Sequence, residues 1–374
     1  MRIVCASQPA PGHFLPTAPL LRALLAAGHE VTVVSSPAFG PFVRRAGFRF
    51  RPVGEPWLAA DVTPRPFAVG ESPTVRDGDY TFALDTTRAN AWAAGDVLAD
   101  LRPDLLVREP AEFGVTFAAE RAGVPTSTVG VGFLRTGDRL LADGGARLLP
   151  IRAALGLPDR VADLDALSRR RYVQTAPEVF EPVPDALTTL RLVDRVRRPA
   201  DAPAVRPRAL VTMGTLLTSE NLLARIMDDL ARLPVPCVLA AGDRHEEVAA
   251  TAPDHVEVVG FTDLAALAAE CTMMICHGGF GSLTTAFTHA LPIVVLPYNV
   301  DQDFNADRVE RIGCGRRVDW HRLGEGDLAD AVAAVHDDPA YRVAARRLAD
   351  DVAALAPPAQ AAATLVTELA ADLA

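Results

Sequence analysis

Short β-rich runs alternate with helix-patterned stretches from the first residue onward, and the alternation restarts after a proline-rich gap. A repeated strand–helix–strand order demands crossover connections, so the strands lie parallel in one sheet with helices on both faces. In the first series the strands read as 2–7, 30–35, 48–53, 104–108 and 125–131, with helices at 16–27, 41–46, 82–101 and 113–122. Leu20, Leu21, Leu24 and Leu25 give the 16–27 stretch its helical spacing, and Gly28 stops it. The second series has strands at 209–213, 237–241, 256–259, 273–276 and 293–296, with helices at 221–233 and 282–290. Beyond Asp327 the sequence is helical to its end, with a break at Pro357-Pro358. The stretch from Arg195 to Arg208 carries three prolines and no periodicity, which marks a linker. A chain of 374 residues suits two domains at ~100–200 residues each. The expected fold class is therefore α/β, with two doubly wound parallel-sheet domains facing a cleft. The domains are 1–197 and 209–374, joined by 198–208, and the last helix is free to pack back on the first domain. Ligands in such sheets bind beyond the carboxyl ends of the strands.

Composition narrows the partners. Lys and Arg together number 37 against 47 Asp and Glu, for a net charge of −10. A net-acidic surface repels phosphate backbones and anionic lipid, so no nucleic acid and no stable membrane insertion are expected. The arginine clusters at 169–171, 195–198 and 316–317 lack interleaved aromatics and read as solvated faces. Every basic side chain except histidine is Arg. Without Lys, Schiff-base chemistry and Walker-type phosphate loops are excluded. The five cysteines form no Cys-x-x-Cys pair, and Cys271, Cys276 and His277 do not complete a zinc set. Reduced, buried thiols of a cytoplasmic protein are expected, with no metal. The first apolar stretch is broken too soon by Pro9 and Pro11 for a signal peptide or a membrane span.

Chemistry gathers at two places. The run Cys276-His277-Gly278-Gly279-Phe280-Gly281-Ser282 follows an apolar strand and opens a helix. Its glycines let a backbone approach a ligand closely, and N–H groups at a helix start attract an anion. A histidine just ahead of them adds a directional donor, so the run reads as a phosphate site or, more plainly, as a tight turn beside a core histidine. Met213-Gly214-Thr215 supplies a second small-residue loop after the first strand of the same series. Asp301, Gln302 and Asn305 follow strand 293–296, where they either grip hydroxyl groups or cap a helix. In the first series, His13 follows Gly12 after the first strand. An imidazole has the right unperturbed pKa to take a proton from an acceptor hydroxyl. From 54 to 79 the pattern dissolves into Pro, Gly and scattered aromatics, the place for a variable binding loop.

Taken jointly, Gly12-His13-Phe14-Leu15-Pro16, then His277 to Ser282, then Pro297 followed by Asp301-Gln302 and Asn305-Ala306 resemble the bacterial, natural-product branch of the family 1 glycosyltransferases. These are two-domain enzymes of the GT-B fold, and the match runs over essentially the whole chain. The resemblance implies an inverting, metal-independent transferase with no cofactor beyond a nucleotide-diphosphate sugar as co-substrate. The sugar would be a deoxysugar on TDP in preference to UDP, and the acceptor a small lipophilic aglycone. It also implies that His277, Gly278, Gly279, Gly281 and Ser282 hold the diphosphate, helped by Thr215. Asp301 and Gln302 would bond the sugar. Phe261 and Thr262 would lie near the base, where many plant relatives carry a Trp. His13 would be the general base. Relatives often place an Asp behind that histidine, and this chain has Glu109 there. Trp57 and Phe67 of the irregular stretch, with Glu112 one turn beyond Glu109, are assigned to the acceptor. The chain is expected as a monomer or homodimer. The alternatives are a non-catalytic partner or activator subunit of the same fold, or a nucleotide-sugar epimerase. A nicotinamide dehydrogenase fits less well, because 8–13 lacks the Gly-x-Gly-x-x-Gly spacing.

Overall fold

The computed structural model describes residues 1–58, 81–131, 145–183, 185–193, 207–214, 226–297, 301–319 and 326–373. Over those residues the chain divides into two units, one of 1–58, 81–192 and 355–373, the other of 193–354.

In the first unit the elements run β1 Arg2–Ala6, α1 Pro11–Phe14, α2 Ala18–Ala26, β2 Glu30–Ser35, α3 Gly40–Arg45, β3 Arg49–Pro52, α4 Thr81–Leu101, β4 Leu105–Arg108, α5 Gly114–Arg121 and β5 Thr126–Thr128. The sheet order is β3-β2-β1-β4-β5, and every pairing is parallel. β1 is central and covered on both faces, which is why it is written as a continuous apolar run. Ile3, Val4, Cys5 and Ala6 are each at most 2% exposed. Leu20, Leu21 and Leu24 of α2 are fully buried, each stabilising the fold by about 1.5–3 kcal/mol. Leu25 points outward. The one-turn helix α1 lies where the sequence suggested a loop; Pro11 at its first position presets the backbone for it. A helical stretch at 145–154 and α6 Val161–Arg169 follow, then a two-stranded sheet of β6 Val173–Gln174 and β7 Thr188–Thr189.

The second unit runs β8 Ala209–Thr212, a helical turn at 226–230, β9 Cys237–Ala240, α7 His245–Ala249, β10 Val256–Val259, α8 Leu264–Ala268, β11 Met273–Cys276, α9 Phe280–Thr288, β12 Ile293–Val295, α10 Gln302–Ile312, β13 Gly315–Arg317, α11 Asp327–Asp337 and α12 Pro339–Ala354. Its sheet order is β10-β9-β8-β11-β12-β13, again all parallel. The central strands β8 and β11 are buried throughout. Two elements carry no apolar signature and were not anticipated. β13 is Gly-Arg-Arg and joins β12 through its backbone alone; a Cβ on Gly315 would run into the Ile293 carbonyl. α10 ends at Gly313, in the left-handed region at φ 77°. The helical tail is broken at Asp338 as well as at the prolines, because the Asp338 carboxylate accepts the Ala340 N–H at 2.8 Å and starts α12.

The last helix, α13 Pro358–Leu373, returns to the first unit. Ala361, Ala362, Leu365 and Leu369 share a buried cluster with Leu20, Leu21 and Leu24 of α2. Its approach is pinned by the Ala356 N–H donating to Thr189 Oγ1 at 2.8 Å and by an Arg171–Asp372 ion pair.

Candidate functional site

In the first unit the site is built at the carboxyl ends of β1 and β4. His13 rides on α1, and its Nδ1 lies 3.1 Å from Glu109 Oε2. The histidine side chain is 27% exposed and the glutamate side chain is not exposed at all. Glu109 is further held by two backbone donors: the Gln8 N–H reaches Oε1 at 3.1 Å and the Ala111 N–H reaches Oε2 at 2.7 Å. Gln8 also donates from Nε2 to the Ala111 carbonyl at 2.9 Å, fastening the β1 end to the β4 end. Burial pushes the Glu109 carboxyl up, but the adjacent His13 ring and the two N–H groups more than offset it and hold it below its ordinary value. A carboxylate fixed behind an imidazole sets its tautomer and stabilises the protonated ring. The extra methylene of Glu relative to Asp therefore does not prevent the contact. The sequence did not flag Gln8, which sits among small and proline residues with no pattern around it.

Glu112, assigned to the acceptor, is engaged by the start of the helix that follows it. Its side chain is buried, with Oε1 accepting the Val115 N–H at 2.9 Å and Oε2 the Thr116 N–H at 3.2 Å. These are the unpartnered donors of the first turn of α5, which a carboxylate at the helix start satisfies. Trp57 is half-buried after β3, its backbone N–H donating to Ser36 Oγ at 2.8 Å. Phe67 and Thr215 lie outside the described residues.

In the second unit the corresponding edge carries the glycine loop. His277 is 8% exposed and its ring fills space left by two glycines. A Cβ on Gly214 would come within 2.7 Å of the ring, and one on Gly279 would run into Nε2. The Thr212 backbone takes a hydrogen bond from the ring, yet burial dominates and pushes the imidazole down to about 4. Near neutral pH the ring is therefore uncharged, with a single N–H already committed to Thr212. As a directional donor to a ligand, His277 would need an N–H beyond the one held by Thr212. The first turn of α9 has no side-chain cap at Gly279, so its backbone N–H groups are not capped by a side chain. Gly281 is exposed there and Ser282 buried. Gly278 sits at φ 87°, and a Cβ would come within 2.7 Å of Val295, so only glycine fits.

Asp301 precedes the first residue of α10, and Gln302 is buried beneath the loop, its carbonyl within 3.4 Å of a Cβ built on Gly278. Asn305 is fully buried and donates from Nδ2 to the Gly278 carbonyl at 2.8 Å and to Asp301 Oδ2 at 3.2 Å. It is thus the tie between helix and loop, not a group free to grip a hydroxyl. Phe261 is 77% exposed beyond β10, with Thr262 exposed beside it. Among the described residues no group of three or more His, Cys, Asp and Glu side chains is arranged to hold a metal ion. No described helix is long and apolar enough to cross a membrane.

Comparison with known proteins gives these two edges their context. Residues 224–369 match the family described as Erythromycin biosynthesis protein CIII-like, C-terminal domain. The L-demethylnoviosyl transferase of Streptomyces niveus is 30% identical, covering 98% of both chains. The 3-alpha-mycarosylerythronolide B desosaminyl transferase of Saccharopolyspora erythraea is 28% identical over 96% of both. Among solved structures, the Streptomyces sp. SF2575 glycosyltransferase SsfS6, complexed with thymidine diphosphate, superposes with a TM-score of 0.76 at 25% identity, covering 98% of this chain and 99% of that one. The spinosyn rhamnosyltransferase SpnG, also complexed with thymidine diphosphate, has the same fold at a TM-score of 0.81 and 22% identity, covering 98% and 100%. An identity of 30% that runs the length of the chain, over two parallel sheets matched end to end by solved transferases, assigns the family: the chain belongs to the GT-B glycosyltransferases of antibiotic biosynthesis, with an Erythromycin biosynthesis protein CIII-like C-terminal domain over 224–369.

Proposed function

We propose that this glycosyltransferase moves a deoxysugar from a thymidine diphosphate donor to a small lipophilic aglycone, with inversion and without a metal. His13 is the general base and Glu109 orients it. The observation that carries this reading is the 3.1 Å contact between His13 Nδ1 and a fully buried Glu109 carboxylate. It leaves Nε2 as the basic nitrogen of a neutral ring that is still partly open to an incoming hydroxyl. The hydroxyl oxygen attacks the anomeric carbon as Nε2 takes its proton, and the bond to the diphosphate oxygen breaks on the opposite face.

The first unit serves the acceptor and the second the donor. The leaving diphosphate is met by N–H groups of the 278–282 turn, which act as fixed dipoles in place of a cation; losing one such donor typically costs about 3 kcal/mol of barrier. Asp301 and Gln302 contact the sugar, and Phe261 with Thr262 flanks the base. Trp57 lines the acceptor side. Support for the donor comes from the relatives: a TDP-daunosamine transferase of Streptomyces peucetius is 27% identical over 93% of this chain, and SsfS6 carries thymidine diphosphate. The reading is tested by calorimetric titration with TDP, UDP and NADH, with and without magnesium. TDP binding that is indifferent to EDTA is the expected result. Binding of NADH alone, or nucleotide binding only with magnesium, overturns it.

A further inference from the structure

Glu109 reaches His13 from a loop whose own backbone has to be held, and the side chain that holds it is Arg108, the last residue of β4. Its side chain is fully buried. Nε donates to the Glu112 carbonyl at 2.9 Å, Nη2 donates to the Pro110 carbonyl at 2.7 Å, and the guanidinium lies 4.9 Å from the centre of the Phe113 ring. Other polar groups of the loop are held elsewhere. The Glu109 carbonyl accepts the Glu112 N–H at 3.2 Å, and the Ala111 N–H and carbonyl go to the Glu109 carboxylate and to Gln8. The loop 109–112 is thus wrapped around the guanidinium, with two carbonyls turned inward and the Glu109 carboxylate turned toward α1. Burying a charge is costly, and an apolar residue of similar volume would avoid that cost. What the guanidinium supplies instead is a pair of fixed donors and a positive charge beside two buried carboxylates, Glu109 and Glu112.

We propose that Arg108 is the positioning residue of the His13–Glu109 pair: it clamps the Pro110 and Glu112 carbonyls and balances the Glu112 carboxylate, so that Glu109 faces His13 with its negative charge undivided. This rests on the general-base reading above. Among the described residues, the titratable and charged groups facing the cluster are His13 on α1, Cys5 on β1, Arg108 and Glu109 at the end of β4, and Glu112 ahead of α5. Burial pushes the Cys5 thiol up to about 12, so it stays neutral. Glu112 is pushed up by burial and by Glu109 and drawn down by the Val115 N–H and Arg108.

The test is the titration of the His13 imidazole followed by NMR, with the resonance assigned by its loss in His13→Ala; it needs no acceptor. In Arg108→Met the midpoint should fall by about one pH unit, toward that of Glu109→Ala, because the ring has lost an aligned carboxylate. In a Glu109→Ala background the same substitution should leave the midpoint unchanged, since the two act through one contact. A purely structural arginine would lower the melting temperature without moving His13. A wild-type midpoint in folded Arg108→Met, or an equal fall with and without Glu109, overturns the proposal. Should Arg108→Met not fold, Arg108→Lys takes its place: the ammonium keeps the charge but lacks the planar fork that sets Nε and Nη2 on two separate carbonyls, so the midpoint falls in the same direction, and a wild-type value overturns the proposal. Turnover tests the base reading separately, because His13→Ala with unchanged turnover removes the base while leaving the NMR outcome to stand.

Discussion

The two units place a histidine at the same edge of the same kind of sheet and give it opposite surroundings. His13 is part-exposed and backed by a buried carboxylate with two N–H groups of its own. His277 is buried between Gly214 and Gly279, with a carbonyl for a partner and an imidazole pushed down to about 4. A carboxylate partner prepares a ring to become charged, whereas a carbonyl partner in a dry pocket keeps it neutral. On the reading proposed above, one side-chain type would serve proton transfer in the first unit and shape in the second. The surroundings decide which.

That contrast can be broken at several points. The largest effect should come from His13→Ala, with turnover falling by about 10³-fold while calorimetry finds TDP affinity within about twofold of wild type. Glu109→Gln keeps the shape and loses the charge; kcat should fall by about 10²-fold, and equal turnover would mean that the ring needs no carboxylate. The buried histidine is read by stability instead. Its folded value of about 4 lies below the ordinary 6.5, so its contribution is complete above pH 6.5 and is lost as pH falls toward 4, by up to about 3 kcal/mol. Denaturant titrations of His277→Asn should show a flatter acid decline than wild type, and an unchanged decline would show that the ring is not buried neutral. Glu109 has the same sign in a lower window: its stabilisation is present above the ordinary 4.5 and lost as pH falls through the depressed value. The smallest effect is expected from Gly279→Ala, whose Cβ would meet the His277 ring. TDP affinity should weaken by about tenfold with folding intact, and full affinity would mean that the ring has room to move.

Strand positions were legible because a parallel sheet covered on both faces writes its centre as an unbroken apolar run, as in Ile3–Ala6 and Met273–Cys276. β13 was not legible, because an edge strand paired only through its backbone leaves no hydrophobic trace in Gly315-Arg316-Arg317. In the site, His13 and the glycine loop stood out by residue type. The contacts of Glu112 were not legible, because a carboxylate near a helix start looks the same in sequence whether it faces a ligand or the helix's own N–H groups. Arg108 was hidden for a related reason: an arginine ending a strand reads as a solvated charge until the loop that closes over it is seen.

The return of α13 to α2 bears on the order of assembly. Leu365 and Leu369 fill the same buried cluster as Leu20, Leu21 and Leu24, yet they are synthesised only after the whole of the second unit. During translation the second unit can complete its core first, while the first waits with part of an apolar face unfilled. Residues 358–373 act as a late-arriving plug, and a chain cut before them would meet the cell with that face exposed.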